Sequence, residues 1–174
     1  GMGNKQDAKF FSHYQPSNTK TIAEALSIHG FTPNDITDVL LTHLHFDHVG
    51  GAVNNENGEL KLALPNATYW VSTPHWETAI HPNRREKASF LKENIMPLKE
   101  SGQLKLIEIP PFKSDTSLQE IHFAENISCF VVNGHTQGML LPKIQFGTDQ
   151  IVYMADLLPS VGHLPIPFVM GYDM

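Results

Sequence analysis

Apolar residues in this chain fall in short runs, and the period of those runs changes several times along it. Asp38-Val39-Leu40-Leu41 is a compact aliphatic run and predicts a buried strand. Residues 67–71 (Ala-Thr-Tyr-Trp-Val) and the alternating 104–107 (Leu-Lys-Leu-Ile) predict two more strands. Residues 120–123 and 127–132 predict a hairpin around Ala124-Glu125-Asn126, and 139–146 with 150–154 a second around Gly147-Thr148-Asp149. Helical spacing is weaker. Ile22, Ala25, Leu26 and Ile28 form a stripe, with an N-cap at Asn18-Thr19 and a C-cap at Gly30. Thr73-Pro74 opens a helix that runs to Ile80 and is ended by Pro82. Residues 83–91 predict a further helix whose charged face is read as solvated rather than as a lid with substrate-binding arginines. Thr32-Pro33-Asn34-Asp35 is a turn, residues 54–58 a loop or hairpin tip, residues 1–4 a loop, and Pro110-Pro111 a rigid connection. Repeated hairpins with helices outside them predict an α+β fold, a sheet sandwich flanked by helices. No repeat, low-complexity tract or coiled coil interrupts it.

The chemistry sits just past the first strand, in Thr42-His43-Leu44-His45-Phe46-Asp47-His48-Val49-Gly50-Gly51. A lone histidine is normally a surface or satisfied core residue. Three histidines and one aspartate within six residues, backed by Gly-Gly, are hard to explain as packing. Residues two apart in extended chain point the same way, so His43 and His45 can meet one metal together. Asp47 and His48 lie past the turn and can face a second. Neutral imidazoles and a carboxylate suit zinc or a similar first-row divalent ion. His75 and His81 stand outside this cluster and are expected at the surface.

Composition narrows the function class. At 174 residues the length fits one domain, 1–174. The net charge of -6 argues against a general affinity for nucleic acid or anionic membrane. Cys129 is the one cysteine, set in the apolar run 127–132, and is expected to be buried and inert. No stretch is apolar and long enough to span a membrane and no secretory leader is visible, so a cytoplasmic protein is expected.

The His-x-His-x-Asp-His pattern resembles the signature of the metallo-β-lactamase-fold hydrolases. The resemblance implies an αββα sandwich and two divalent ions, zinc first, with iron or manganese as alternatives. It places His43 and His45 on metal one and Asp47 and His48 on metal two. His135, in Gly134-His135-Thr136, maps to the third ligand of metal one, and Thr136 to a hydrogen-bonding support. Asp156, at the end of Ile151-Val152-Tyr153-Met154-Ala155-Asp156, maps to the ligand that bridges both metals. The family's final histidine ligand has no counterpart among the 18 residues after Asp156; His163 resembles a pocket-wall or structural residue instead. With only 42 residues before His43 as well, the expectation is a domain lacking strands at its front and a closing segment at its back. Sheet edges left open by such a loss would invite pairing with a second copy.

Several further segments resemble the branch that holds acyl-homoserine-lactone lactonases and methyl parathion hydrolase. They are His81-Pro82-Asn83-Arg84-Arg85-Glu86-Lys87, Glu93-Asn94-Ile95, Pro97-Leu98, Ala155-Asp156-Leu157-Leu158-Pro159 with His163, and Gly171-Tyr172-Asp173. This implies hydrolysis of a small-molecule lactone, ester or phosphotriester, with Asp47 relaying a proton to the leaving group. Pro159 stands where well-known lactonases carry a tyrosine, which widens the expectation beyond lactones. A thioesterase of the glyoxalase II kind would carry a basic C-terminal cluster, which is not visible. Redox di-iron members carry Glu where His45 stands, and nuclease members carry a large insert. The reading from another class is a non-catalytic fragment that binds metal.

Overall fold

The computed structural model describes residues 1–17, 19–111, 118–165 and 170. Helices α1 (Ala8–Tyr14) and α2 (Ile22–Ser27) precede strand β1 (Asp38–Leu40), which leads into the short helix α3 (Phe46–Val49). The hairpin β2 (Val53–Glu56) and β3 (Glu59–Leu62) follows, then β4 (Thr68–Ser72), α4 (Thr73–Ile80), α5 (Lys92–Glu100) and β5 (Leu104–Ile107). The second half is strand after strand: β6 (Gln119–Ala124), β7 (Ile127–Val132), β8 (Met139–Phe146) and β9 (Asp149–Val152).

These strands build two main sheets. One is parallel, in the order β1-β4-β5, and the other is an antiparallel meander, β6-β7-β8-β9. Side-chain alternation assigns the faces. In the parallel sheet, Val39 and Leu41 turn toward the helices, where Val49, Trp76, Ala79, Ile95 and Leu98 meet Tyr69 and Val71 in the largest core cluster. Leu40 and Ile107 turn the other way, onto Cys129, Val131 and Leu140 of the meander. Val132, Met139 and Leu141 alternate to the meander's far face, where Phe130, Val152 and Met154 join them. Among the described residues the layers are therefore helix, sheet and sheet: the sheet sandwich that the apolar runs predicted, with one of the two outer helix layers of the αββα expectation.

Three local expectations need correction. The cap of α2 is Thr21, whose backbone N–H donates to Glu24 Oε2 at 2.7 Å while its hydroxyl accepts from Glu24 N–H at 3.1 Å, a reciprocal box. Thr19 is thus not the cap, and Asn18 lies outside the described residues, as do residues 171–173. Residues 83–91 do not form the charged helix. Asn83 Oδ1 accepts the backbone N–H groups of Arg85 (2.9 Å) and Glu86 (3.0 Å), which folds the segment into a turn. Only a single 3-10 turn, Lys87–Ser89, follows before α5 begins. Helix α1 was not anticipated. Asp7 caps it through the N–H of Phe10 at 2.8 Å, and its Phe10 and Tyr14 rings pack on Phe46. Among the described residues, no helix is long and apolar enough to cross a membrane.

Candidate metal centre

The cluster begins where β1 leaves its sheet. Leu41 N–H still bonds Trp70 C=O at 2.9 Å, and the next carbonyl, Thr42, accepts Leu140 N–H from the opposite sheet at 2.9 Å. The chain is thus fixed from both layers before the first histidine. Thr42 Oγ1 lies 3.1 Å from His43 Nδ1 and orients that ring. His45 is the N-terminal cap of α3, so Asp47 and His48 lie on the first turn beyond it. Gly50, behind them, passes close to Met2: a Cβ there would stand 2.2 Å from the Met2 carbonyl oxygen. His135 comes from the loop after β7, and Asp156 from the 3-10 turn after β9 (Ala155–Leu157).

Three separate segments bring their donors to one place. His43, His45 and His135 offer nitrogen atoms within 4.8 Å of one another, and His43, His48 and Asp156 offer two nitrogens and a carboxylate oxygen within the same distance. His45 Nδ1 and His135 Nε2 are 3.0 Å apart. Asp156 joins the two groups: one carboxylate oxygen is 3.1 Å from His48 Nε2 and the other 3.5 Å from His135 Nε2. Asp47 stands outside both triads. Its carboxylate is 3.5 Å from His48 Nε2 and 45% exposed, at the rim. Five of the six predicted site residues therefore converge, and the sixth flanks them. His163 does not take part; it is hydrogen-bonded to Ser160 at 2.9 Å.

The donors are in the state that a metal needs. Burial drives the His43 imidazole pKa far down, with the neighbouring His48 and His45 adding to the effect. Burial, then His135, pushes His45 down to about 3. Both rings are therefore neutral at pH 7, with a nitrogen lone pair available. The Nε2 atoms of both are buried and have no hydrogen-bond partner among the described residues. Buried polar atoms are normally satisfied, and an ion is one way to satisfy the His43 nitrogen that faces the cluster. The hydrogen bond from His48 holds the Asp156 carboxyl below its ordinary range, so it is an anion.

Two supporting residues escaped the sequence reading. Glu86, expected on a solvated face, is only 6% exposed. It accepts from Thr136 Oγ1 (2.6 Å), Arg85 Nη2 (2.9 Å) and Asn83 Nδ2 (2.9 Å), and its Oε2 is 3.9 Å from His45 Nε2. Burial raises its pKa, but these hydrogen bonds outweigh burial and hold the carboxyl below the ordinary value. Thr136 had been expected to support a ligand, and it does so through Glu86. His75, expected at the surface, is fully buried beside the ligand loops, while His81 is exposed as expected. Asn83 within three residues of Glu86, breaking the helix, was the one local signal for the first. For His75 the only signal was its place three residues after the strand end.

A cleft of about 410 Å³ opens over the donors. It is lined by His45, Asp47, His135 and Asp156, by Met2, Tyr14 and Phe46, and by Arg85, Glu86 and Ser89. A larger groove of about 610 Å³, between α2, the β2–β3 hairpin and α5, contains none of these groups.

This fold, with His-rich donors at strand ends under an open cleft, is the arrangement of a metal-dependent hydrolase family. The chain belongs to the metallo-beta-lactamase superfamily, whose family model matches residues 6–172. An N-acyl homoserine lactonase of Bacillus thuringiensis is 34% identical over 68 residues, which are 39% of this chain and 22% of that protein. A probable metal-dependent hydrolase from Staphylococcus aureus has a similar structure, with a TM-score of 0.77 and 27% identity over 94% of this chain and 54% of its own. A dizinc quorum-quenching lactonase solved in complex with a product gives a TM-score of 0.59 at 26% identity, over 82% of this chain and 49% of its own. The chain thus spans about half the length of these solved relatives.

Proposed function

We propose that this protein is a dinuclear metal-dependent hydrolase acting on a small-molecule lactone, ester or phosphotriester. The observation that carries the reading is the pair of three-residue donor groups, sharing His43 and spanned by the two oxygens of Asp156. His43, His45 and His135 would hold an inner ion, and His48, Asp156 and Asp47 an outer one. Zinc suits this mixed nitrogen and carboxylate set best, and iron or manganese follow. Divalent ions at such a site supply Lewis acidity and lower the pKa of a water from 15.7 to about 7.

The chain's own residues do the rest. The neutral rings of His43 and His45 keep their lone pairs for binding. The Asp156 carboxylate spans the two groups and fixes their separation. Asp47, exposed at the rim beside His48, is placed to carry a proton from the attacking water to the leaving group. Arg85 adds a cation to the cleft wall, where it can hold an anionic or carbonyl oxygen of the substrate. Tyr14, Phe46 and Met2 offer apolar surface in the same cleft. The similarity to N-acyl homoserine lactonases favours lactones as the first substrates to try.

A panel of lactones, aryl esters and phosphotriesters, assayed with zinc, tests this. Hydrolysis of at least one class is expected, lost in His45→Ala. Equal rates for the native protein and His45→Ala on every member would overturn the enzymatic reading and leave a non-catalytic metal-binding protein.

A further inference from the structure

His75 lies on the first turn of α4, yet none of its surface reaches solvent. Both ring nitrogens are used, and each is used on a different ligand loop. Nε2 accepts the backbone N–H of Leu44, at 2.7 Å. Leu44 is the residue between His43 and His45. Nδ1 lies 2.8 Å from the carbonyl oxygen of Gln137, two residues past His135. A backbone N–H can only donate and a carbonyl can only accept, so the two contacts together fix the tautomer: the proton is on Nδ1 and Nε2 is bare. The surrounding contacts hold this ring in place. Ser72 Oγ donates to Gly138 C=O at 2.5 Å and accepts His75 N–H at 3.2 Å. Gly138 has φ +69, and a Cβ there would lie 2.8 Å from His75 N and 2.9 Å from Pro74 Cγ. The second loop thus passes directly over the start of α4, at a distance only glycine allows.

We infer that His75 is a positioning residue that clamps the two ligand-bearing loops to each other through the backbone. It touches no substrate and does not serve as a metal donor, because both of its nitrogens are occupied. It sets the separation between the His43–His45 pair and His135, which local sequence leaves undetermined: among the described residues, no other side chain of α4 hydrogen-bonds both loops. The inference rests on the metal-site reading for its purpose, but the clamp itself can be measured without metal.

The test uses the full chain, labelled with 15N-histidine, in metal-free and zinc-loaded forms, with the variants His75→Leu and His75→Gln. A glutamine amide carries one acceptor and one donor and can restore both bonds, whereas leucine can make neither. In the metal-free native protein, two-bond 1H–15N spectra should show His75 protonated at Nδ1 only. The Leu44 amide should exchange with solvent at least about tenfold faster in His75→Leu and return toward the native rate in His75→Gln. Zinc affinity should fall by about 10–100-fold in His75→Leu, the range seen when a support behind a ligand is removed, and recover in His75→Gln. An Nε2-protonated His75, or an unchanged Leu44 exchange rate in His75→Leu, overturns the clamp. So does native zinc affinity in His75→Leu. If that variant fails to fold, the tautomer in the native protein and the comparison with His75→Gln still decide. A native protein that shows the expected tautomer and exchange but binds no zinc would overturn the metal reading alone.

Discussion

The two donor groups share His43 yet differ in how they are held. The inner group is His43, His45 and His135, at 0%, 6% and 5% exposure. Its loops are tied by Thr42 to the opposite sheet, by His75 to each other, and by Glu86 and Thr136 from behind. The outer group relies on His48 and Asp156, whose side chains are 20% and 19% exposed, with Asp47 at 45%. Those residues sit on the first turn of α3 and on a 3-10 turn, and their mutual ion pair is the main contact between them. On the proposed reading, burial would remove water from competition for an inner ion and fix its donors beforehand. An outer ion would have to compete with solvent and organise its donors as it binds. Preorganisation should therefore make the inner ion the tighter one, and the outer ion the one that exchanges.

The largest expected effect comes from the shared residue. His43→Ala removes a donor of the inner ion, on which the outer ion would depend through the Asp156 carboxylate that spans both groups, and should lower hydrolysis by on the order of 10³-fold or more, with both ions lost. His48→Ala should cost the outer ion only, leaving one ion bound. Elemental analysis of the two variants distinguishes them, and equal loss in both would erase the difference between the groups. Next in size is Glu86→Gln, which keeps the shape but weakens the hydrogen bonds from Thr136, Arg85 and Asn83 and removes the negative charge 3.9 Å from His45 Nε2. Zinc affinity at the inner group should drop by about 10–100-fold, read by competition with a chelator. An unchanged affinity would mean that the support from behind is irrelevant.

The pH dependence of stability sharpens the same contrast. Burial holds His75 at about 4 in the folded chain, against 6.5 for a solvated histidine. Above pH 6.5 both states are neutral and the group contributes nothing. As pH falls below 6.5 the unfolded chain takes up a proton that the folded one refuses, so stability declines until about pH 4. For His75 alone the loss is about 3 kcal/mol at most. Denaturant titration of the metal-free protein between pH 7 and 4 should show it, and His75→Gln should make the decline shallower, leaving the part that the buried His43 and His45 contribute. A stability independent of pH over that range would contradict the buried, neutral ring. The smallest effect expected is at Cys129. It is buried between the sheets, and burial raises its thiol to about 11. Alkylation should require unfolding, with Cys129→Ala costing about 1 kcal/mol. Rapid labelling of the native protein would show that the interface between the sheets opens.

Much of this site was legible in the residues because its period and spacing are local. His43 and His45 follow directly from a strand end, and the Gly-His-Thr and strand-terminal Asp segments pointed to His135 and Asp156 by resemblance. What could not be read was what depends on distance in the chain. His75 lies 31 residues from Leu44 and 62 from Gln137, so nothing in its neighbourhood marks it as buried. Glu86 sits in Asn83-Arg84-Arg85-Glu86-Lys87, a run whose charges look solvated. Its inward turn follows from the Asn83 side chain, which accepts the N–H groups of Arg85 and Glu86 and donates to the Glu86 carboxylate, and from Thr136, 50 residues on. The parallel order of β1, β4 and β5 was likewise hidden, since each short run is equally compatible with a hairpin.

The central claim is that two ions bind, unequally. The direct measurement is metal content per chain by elemental analysis, first after exhaustive dialysis and then along a chelator titration. The account predicts two divalent ions per chain, removed in two separated steps. His48→Ala should show only the second step, at the higher chelator concentration. One ion or none in the dialysed native protein, or two ions lost together in a single step, would contradict it.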